Sequence, residues 1–354
     1  MKTTANANLD AYCTLMLKIF FSFLLLIPAF SSAQHIKVLQ QGKSTSIRGL
    51  SVVDDNVAWV SGSKGTIAIT SDGGKTWNWQ QVKGFEKSDF RDIEAFSDNE
   101  AIIMSSGTPA LILKTTDGGT NWQVKYKNTD TAYFFDAMDF ADKNHGYVLG
   151  DPVAGKFVLV ETKDGGETWL PFKNLPDALP GEAAFAASGT CLRVDSDNII
   201  NIVTGGNRSR LLIFADDKIA PDKWLEINFS IIHGKPSQGA FSLANGSGTV
   251  VVGGDYQKDH LSDSVAAYWF NNNEHARGKI KLTEKPPAGF QSCVEYISGN
   301  TFLSTGTPGS NLTTDGGKTW TKIDDVSYNV CRKAKHGKLV LLAGNNGKIG
   351  TLQP

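Results

Sequence analysis

Two arginines and four carboxylates are the residues best placed by type and spacing to do chemistry. Arg48 stands in Ser46-Ile47-Arg48-Gly49-Leu50, Arg91 in Asp89-Phe90-Arg91-Asp92-Ile93, and Asp136 follows after a similar interval, each where the chain enters an apolar strand. Guanidinium groups at matched positions offer rigid N–H forks to a carboxylate or another acidic ligand. Their alternative role is an ion pair with Asp89, Asp92 or Glu94. Asp136, Asp151, Glu182 and Asp255 fall at strand starts or in loops that a ring of similar units brings to one face, joined there by Arg208, Arg210 and Tyr256. Two such carboxylates, converging in a cleft with one pKa shifted, would make a glycosidase pair. Cys191, Cys293 and Cys331 match no zinc spacing and read as small buried hydrophobes, with a Cys293–Cys331 disulfide left open.

The elements that position these residues are repeated. Four segments share the pattern Thr-x-Asp-Gly-Gly-x-x-Trp, with Asp72, Gly74 and Trp77; Asp117, Gly119 and Trp122; Asp164, Gly166 and Trp169; and Asp315, Gly317 and Trp320. The first three recur about every 45 residues, and the gap before the fourth holds two degenerate units. The glycines supply the positive φ of a hairpin turn, the Asp accepts backbone N–H groups across it, and the Trp packs between neighbouring units. That is structural work and needs no metal.

A period of this length with four strand-like segments per unit predicts an all-β seven-bladed propeller. Its units run 48–82, 90–126, 134–172, 182–229 with an Asp216-Asp217 turn in place of the box, 239–284, 289–324 and 328–354. The last unit has three strands; residues 35–41 supply a fourth and close the ring, which removes two open edges. The loops entering the innermost strand and those joining the second and third strands share one face, opposite the boxes.

Ahead of the propeller, Leu15–Phe30 is apolar except for Lys18 and Ser22 and precedes the small residues Ser31 and Ala33. This reads as a secretory signal peptide over 1–33, with Met16 a natural start and cleavage after Ala33. The mature protein is then 34–354, periplasmic or secreted. No cysteine follows the apolar run to carry a lipid. Formal net charge is −1 with no long run of either sign, so no footprint for nucleic acid or a membrane surface exists. The sequons at Asn207, Asn228, Asn245 and Asn311 matter only in a host that glycosylates exported proteins.

The boxes resemble those of the BNR/Asp-box superfamily. In length and unit count the chain is similar to the Ycf48/HCF136 group of photosystem II stability and assembly factors, a resemblance that covers residues 35–354. Stretches such as Gly150–Phe157 and Leu179–Phe185 resemble a bacterial branch, some of whose members are labelled oxidoreductases. The resemblance implies a non-catalytic monomeric propeller that binds another envelope protein or complex, or an acidic ligand. No G-x-G-x-x-G opens a helix and no flavin or metal constellation is present, so no cofactor is expected. Sialidases share the boxes, but they carry Arg-Ile-Pro where this chain has Arg48-Gly49-Leu50, and Phe241, Gln291 and Asn329 stand near the starts of later innermost strands.

Overall fold

The computed structural model describes residues 34–215, 223–269 and 280–354; the expected leader and the Asp216-Asp217 turn lie outside the described residues. Seven antiparallel sheets form the seven blades. Their innermost strands are Ile47–Val52, Asp89–Ala95, Phe135–Phe140, Leu192–Val194, Gln238–Asn245, Cys293–Ser298 and Val330–Lys333. Each neighbours the next, and the seventh returns to the first.

Middle strands such as Ala58–Gly62 and Ala110–Thr115 are buried at every residue, because a blade is covered on both faces by its neighbours. Outermost strands are short and partly or fully exposed: Asn78–Gln81 in blade one, and only Leu170–Pro171 in blade three. Box residues fill the space between blades. Trp122 of blade two meets Trp59 of blade one edge to face at 6.3 Å, and Trp169 of blade three packs in one cluster with Ile102 and Met104 of blade two.

Innermost strands of different blades share no backbone ladder, so their inward N–H groups need side-chain acceptors. Ser51 Oγ accepts from Ala95 N at 3.0 Å, and Asp92 Oδ2 accepts from Met138 N at 2.8 Å. Asp139 Oδ2 accepts from Val194 N at 2.6 Å, Ser242 Oγ from Val294 N at 2.8 Å, and Cys293 Sγ from Cys331 N at 3.4 Å. Each acceptor serves the following blade. The three cysteines are buried and free, so the disulfide left open by the sequence is not formed.

The ring closes as expected. His35–Gln40 pairs antiparallel with Ile349–Gln353 as the outer strand of blade seven. Inside, Asn329 Nδ2 of blade seven donates to Ile47 O of blade one at 2.8 Å. Blade four departs from the expected unit. Its innermost strand starts only at Leu192, while Glu182–Ala183 pairs with Gly205–Gly206 and through it joins the sheet of blade five. Residues 184–191 thereby belong to no strand, and only the carbonyls of Thr190 and Cys191 accept backbone N–H groups of blade strands, from Leu243 and Val203.

Candidate functional site

Strand register separates the two ends of the channel. In blade one Ile47 pairs with Gly62 and Gly62 with Thr66, whereas Val52 pairs with Ala58 and Ala58 with Thr70, the residue that opens the box. Arg48 therefore lies at the end away from the boxes.

The segment 184–191 enters the channel at that end and contacts six other blades. Ala184 N donates to Asp151 Oδ1 of blade three at 3.2 Å. Arg91 Nη1 of blade two donates to Ala186 O at 3.4 Å, Arg48 Nη1 of blade one to Ala187 O at 3.3 Å, and Arg332 Nη2 of blade seven to Ser188 O at 3.2 Å. Ser188 Oγ donates to Ser292 O of blade six at 2.7 Å, and Thr190 Oγ1 to Ser242 Oγ of blade five at 2.6 Å. Gly189 passes so near the channel wall at φ +70° that a Cβ would run into the Asp92 carboxylate. No local pattern signals this plug, because its partners are scattered over the whole chain.

Above the plug is a cavity of about 590 Å³ with two unlike walls. Arg48, Arg91, Phe134, Asp136 and Asp151 line it on the side of blades one to three. Phe185 of the plug, with Phe241, Tyr256 and Phe290 of blades five and six, lines the other. Phe185 stacks on Phe241 at 3.7 Å, Phe290 meets Phe241 edge to face at 4.8 Å, and Tyr256 is 48% exposed at the rim.

Electrostatically the polar wall is crowded. Arg91 Nε pairs with Asp89 Oδ2 at 2.8 Å and its guanidinium lies 5.6 Å from the Phe134 ring. Arg48 has no carboxylate within ion-pair distance among the described residues. Burial first, and then the neighbouring Arg91, lower its pKa, opposed by Asp89. Asp136 is 1% exposed, and its Oδ2 is buried with no hydrogen-bond partner among the described residues. Burial and then the nearby Asp151 push its pKa well up, against Arg91 and the Ala186 amide. Burial also raises Asp151.

Other residues singled out in the sequence are elsewhere engaged. Glu182 is held by Arg210 in a buried two-pronged pair, Nε–Oε1 at 2.8 Å and Nη2–Oε2 at 2.6 Å, with Thr204 Oγ1 donating at 2.5 Å. Arg210 goes on to Glu226 at 2.6 Å. Asp255 is buried and accepts from Gln238 Nε2 and Gln257 N, both at 3.0 Å; burial works against its ionisation, but Gln238 and Ser237 leave the pKa lowered. Arg208 is exposed and does not line the cavity. Gln291 is buried and Asn329 bridges the ring closure, so the later blades add no arginine to this mouth.

The boxes repeat one geometry. Thr70 Oγ1 donates to Asp72 Oδ1 at 2.8 Å and accepts from Gly74 N at 3.0 Å, while Thr76 N and Oγ1 donate to the two carboxylate oxygens at 2.9 and 2.6 Å. The boxes of Asp117, Asp164 and Asp315 match it, with Asn121 replacing the threonine in the second. Trp77, Trp122 and Trp169 each donate Nε1 to the carbonyl of Gly74, Gly119 and Gly166, whereas Trp320 Nε1 in the fourth box is buried without a partner among the described residues. The side chain and backbone of Thr76 hold Asp72 down to about 2, and those of Thr168 do the same for Asp164.

At the box end lies a second cavity, of about 750 Å³, that the sequence did not flag. Asp92, Asp139, Arg193, Glu295 and Arg332 line it. Arg193 Nη2 pairs with Glu295 at 2.7 Å, and Lys335 pairs with Glu94 at the rim. Burial pushes Asp92 up to about 7 and Asp139 to about 6, opposed by Arg332 in the first case and Arg193 in the second.

Comparison with known proteins agrees with this architecture. A family model described as the photosynthesis system II assembly factor YCF48 matches residues 30–129, the first two blades and the strand before them. The photosystem II assembly lipoprotein Ycf48 of Synechococcus sp. (strain CC9902) is 29% identical over 124 residues, which is 34% of this chain and 34% of the relative, so the match spans about a third of that protein. Among solved structures, a YCF48 bound to D1 peptide superposes with a TM-score of 0.64 at 16% identity, over 90% of this chain and 97% of the other. YCF48 from Cyanidioschyzon merolae gives 0.63 at 15%, over 90% and 99%. Virginiamycin B lyase from Staphylococcus aureus gives 0.63 at 13%, over 91% and 99%, so the ring fold by itself also carries an enzyme. The chain is thus a seven-bladed propeller with Asp-box turns, similar to Ycf48 in sequence over its first two blades and in fold around the whole ring.

Proposed function

We propose that this protein is an exported, non-catalytic assembly or stability factor that binds a segment of an envelope protein at the box-free mouth. The observation that carries the reading is the cavity itself: two guanidiniums, one without a carboxylate partner among the described residues, face an aromatic wall across an open space. Such a mixed surface suits an extended segment with an acidic group for Arg48 and Arg91 and an apolar side chain for Phe241, Tyr256 and Phe290. A YCF48 of the same fold is described with a bound D1 peptide, and a curated relative is named an assembly lipoprotein, which supports both the peptide reading and the envelope location. The plug makes the mouth a closed cup instead of a pore.

The test is capture from an envelope fraction with wild type and with an Arg48→Ala/Arg91→Ala double variant whose fold is checked by circular dichroism. A partner held by wild type and lost by the variant is expected; equal capture by both overturns the assignment of the site. One observation favours a second reading. Asp136 and Asp151 share the cavity with raised pKa values, as a glycosidase acid requires, and turnover in a glycan-hydrolysis screen that Asp151→Asn abolishes would establish it.

A further inference from the structure

The cavity of the box-free mouth holds more negative charge than its arginines need. Around Asp136, on the innermost strand of blade three, stand Asp151 from the next strand, Arg91 from blade two with Asp89 attached, and Arg48 from blade one beyond it; the Cys191 thiol lies behind. When all are ionised, the three carboxylates exceed the two guanidiniums by one charge. Arg91 spends its Nε on Asp89, and neither arginine reaches Asp136 in a hydrogen bond. Asp136 therefore lines an open cavity with one carboxylate oxygen fully buried and without a partner among the described residues, an arrangement that costs stability unless something else supplies a donor.

We propose that Asp136 and Asp151 form an ammonium subsite, so that the bound segment presents a primary amine to them beside the acidic group on the arginines. This rests on the reading of the cavity as a partner-binding site. The aromatic wall fits the same ligand, since Phe185, Phe241 and Tyr256 give π faces and edges on which the methylenes and charge of a lysine can lie. In the free protein a proton fills the role of the missing cation, which agrees with the upward shift of both acids. An incoming ammonium ion displaces that proton. Binding is then proton-linked: it tightens as pH rises through the range in which Asp136 ionises, whereas contacts to Arg48 and Arg91 do not change there.

The experiment uses the capped tripeptide Phe-Lys-Glu titrated into the protein by calorimetry, with versions in which norleucine replaces lysine or glutamine replaces glutamate. At pH 8 the lysine peptide should bind about tenfold or more tightly than the norleucine peptide, the gain expected of a charge-assisted hydrogen bond. The gap should close towards pH 5, and titrations in two buffers of different ionisation heat should show proton release. Asp151→Asn, at a half-buried position that tolerates the change, should remove the gap; Asp136→Asn should do the same in protein whose thermal melt stays cooperative. An uncapped norleucine peptide that regains affinity would locate the preferred amine at a chain terminus and support the subsite equally. Equal affinity of the lysine and norleucine peptides at every pH, or no measurable binding of either, overturns it. The glutamine peptide reads the arginines separately: if it binds as well as the glutamate peptide, the acidic-group reading fails while the lysine gap still stands.

Discussion

The carboxylates of the rim and those of the channel are one residue type in two opposite situations. Asp72, Asp117, Asp164 and Asp315 take their donors from their own turn, two to four residues away, and their pKa values are lowered. Asp92, Asp136 and Asp139 are buried with raised pKa values, and, apart from the adjacent Ile93 N–H on Asp92, the donors that reach them come from other blades and the plug. A local carboxylate is satisfied as soon as its hairpin forms. The donors of Asp92 and Asp139 arrive only when the next blade docks beside them, so the rim reports folding of single blades and the channel reports the packing of one blade on another.

Gly189→Ala gives the largest break in that comparison. The added Cβ meets the Asp92 carboxylate in a backbone conformation that L residues rarely adopt, at the point where the plug crosses the channel. A loss of about 3 kcal/mol in denaturant unfolding is expected. A change within ~0.5 kcal/mol would show that the plug is not part of the cooperative core. Next in size is Asp92→Ala, which strips the acceptor from the buried N–H groups of Ile93 and Met138 and should cost about 2 kcal/mol. Asp72→Ala, in an exposed turn, should cost clearly less in the same assay. Equal losses would erase the distinction between rim and channel.

The same contrast explains what could be read from the sequence. Thr70, Asp72, Gly74 and Trp77 and their three counterparts were legible because everything they bond to lies within one short motif, and the ring followed from their spacing. Residues 35–41 were legible as the closing strand because the last unit lacked one. The match of Arg48, Arg91 and Asp136 to one mouth followed from the repeat as well. Glu182 and Arg210 were expected on that face as well, but their pairing was not legible because they sit on different strands, and neither lines the cavity. The plug was invisible for a deeper reason: Ala186, Ala187 and Ser188 bond through backbone carbonyls, which any residue offers.

Stability against pH sharpens the comparison from both sides. Asp92 near 7 and Asp139 near 6 bind protons more tightly folded than unfolded, so their contribution is largest in acid and is lost as pH rises from about 4 through 7. Asp72 and Asp164 near 2 behave oppositely: their contribution is present above about 4 and is lost as pH falls towards 2. The thermal midpoint should therefore peak in mild acid and decline on both limbs. Asp92→Asn should flatten the limb above the peak without moving the one below it. A midpoint that climbs steadily from pH 4 to 8 would show that the channel acids do not govern it.

The smallest expected effect separates a structural thiol from a reactive one. Against the push of burial, the Cys331 thiol and Arg332 bring Cys293 down to about 6, a value that invites a chemical role. Yet Cys293 Sγ occupies the slot that Ser51 and Ser242 fill in blades one and five, accepting the N–H of the next innermost strand, with Arg332 Nη1 at 3.6 Å as a further donor. A hydroxyl should serve there as well. Cys293→Ser should stay within ~0.5 kcal/mol of wild type, while Cys293→Ala, which leaves the Cys331 amide without its acceptor, should lose about 1 kcal/mol. Denaturation and partner capture of the two variants side by side decide the matter, because a site that needs sulfur would lose partner capture in both, whereas an interblade acceptor keeps stability and capture in the serine form.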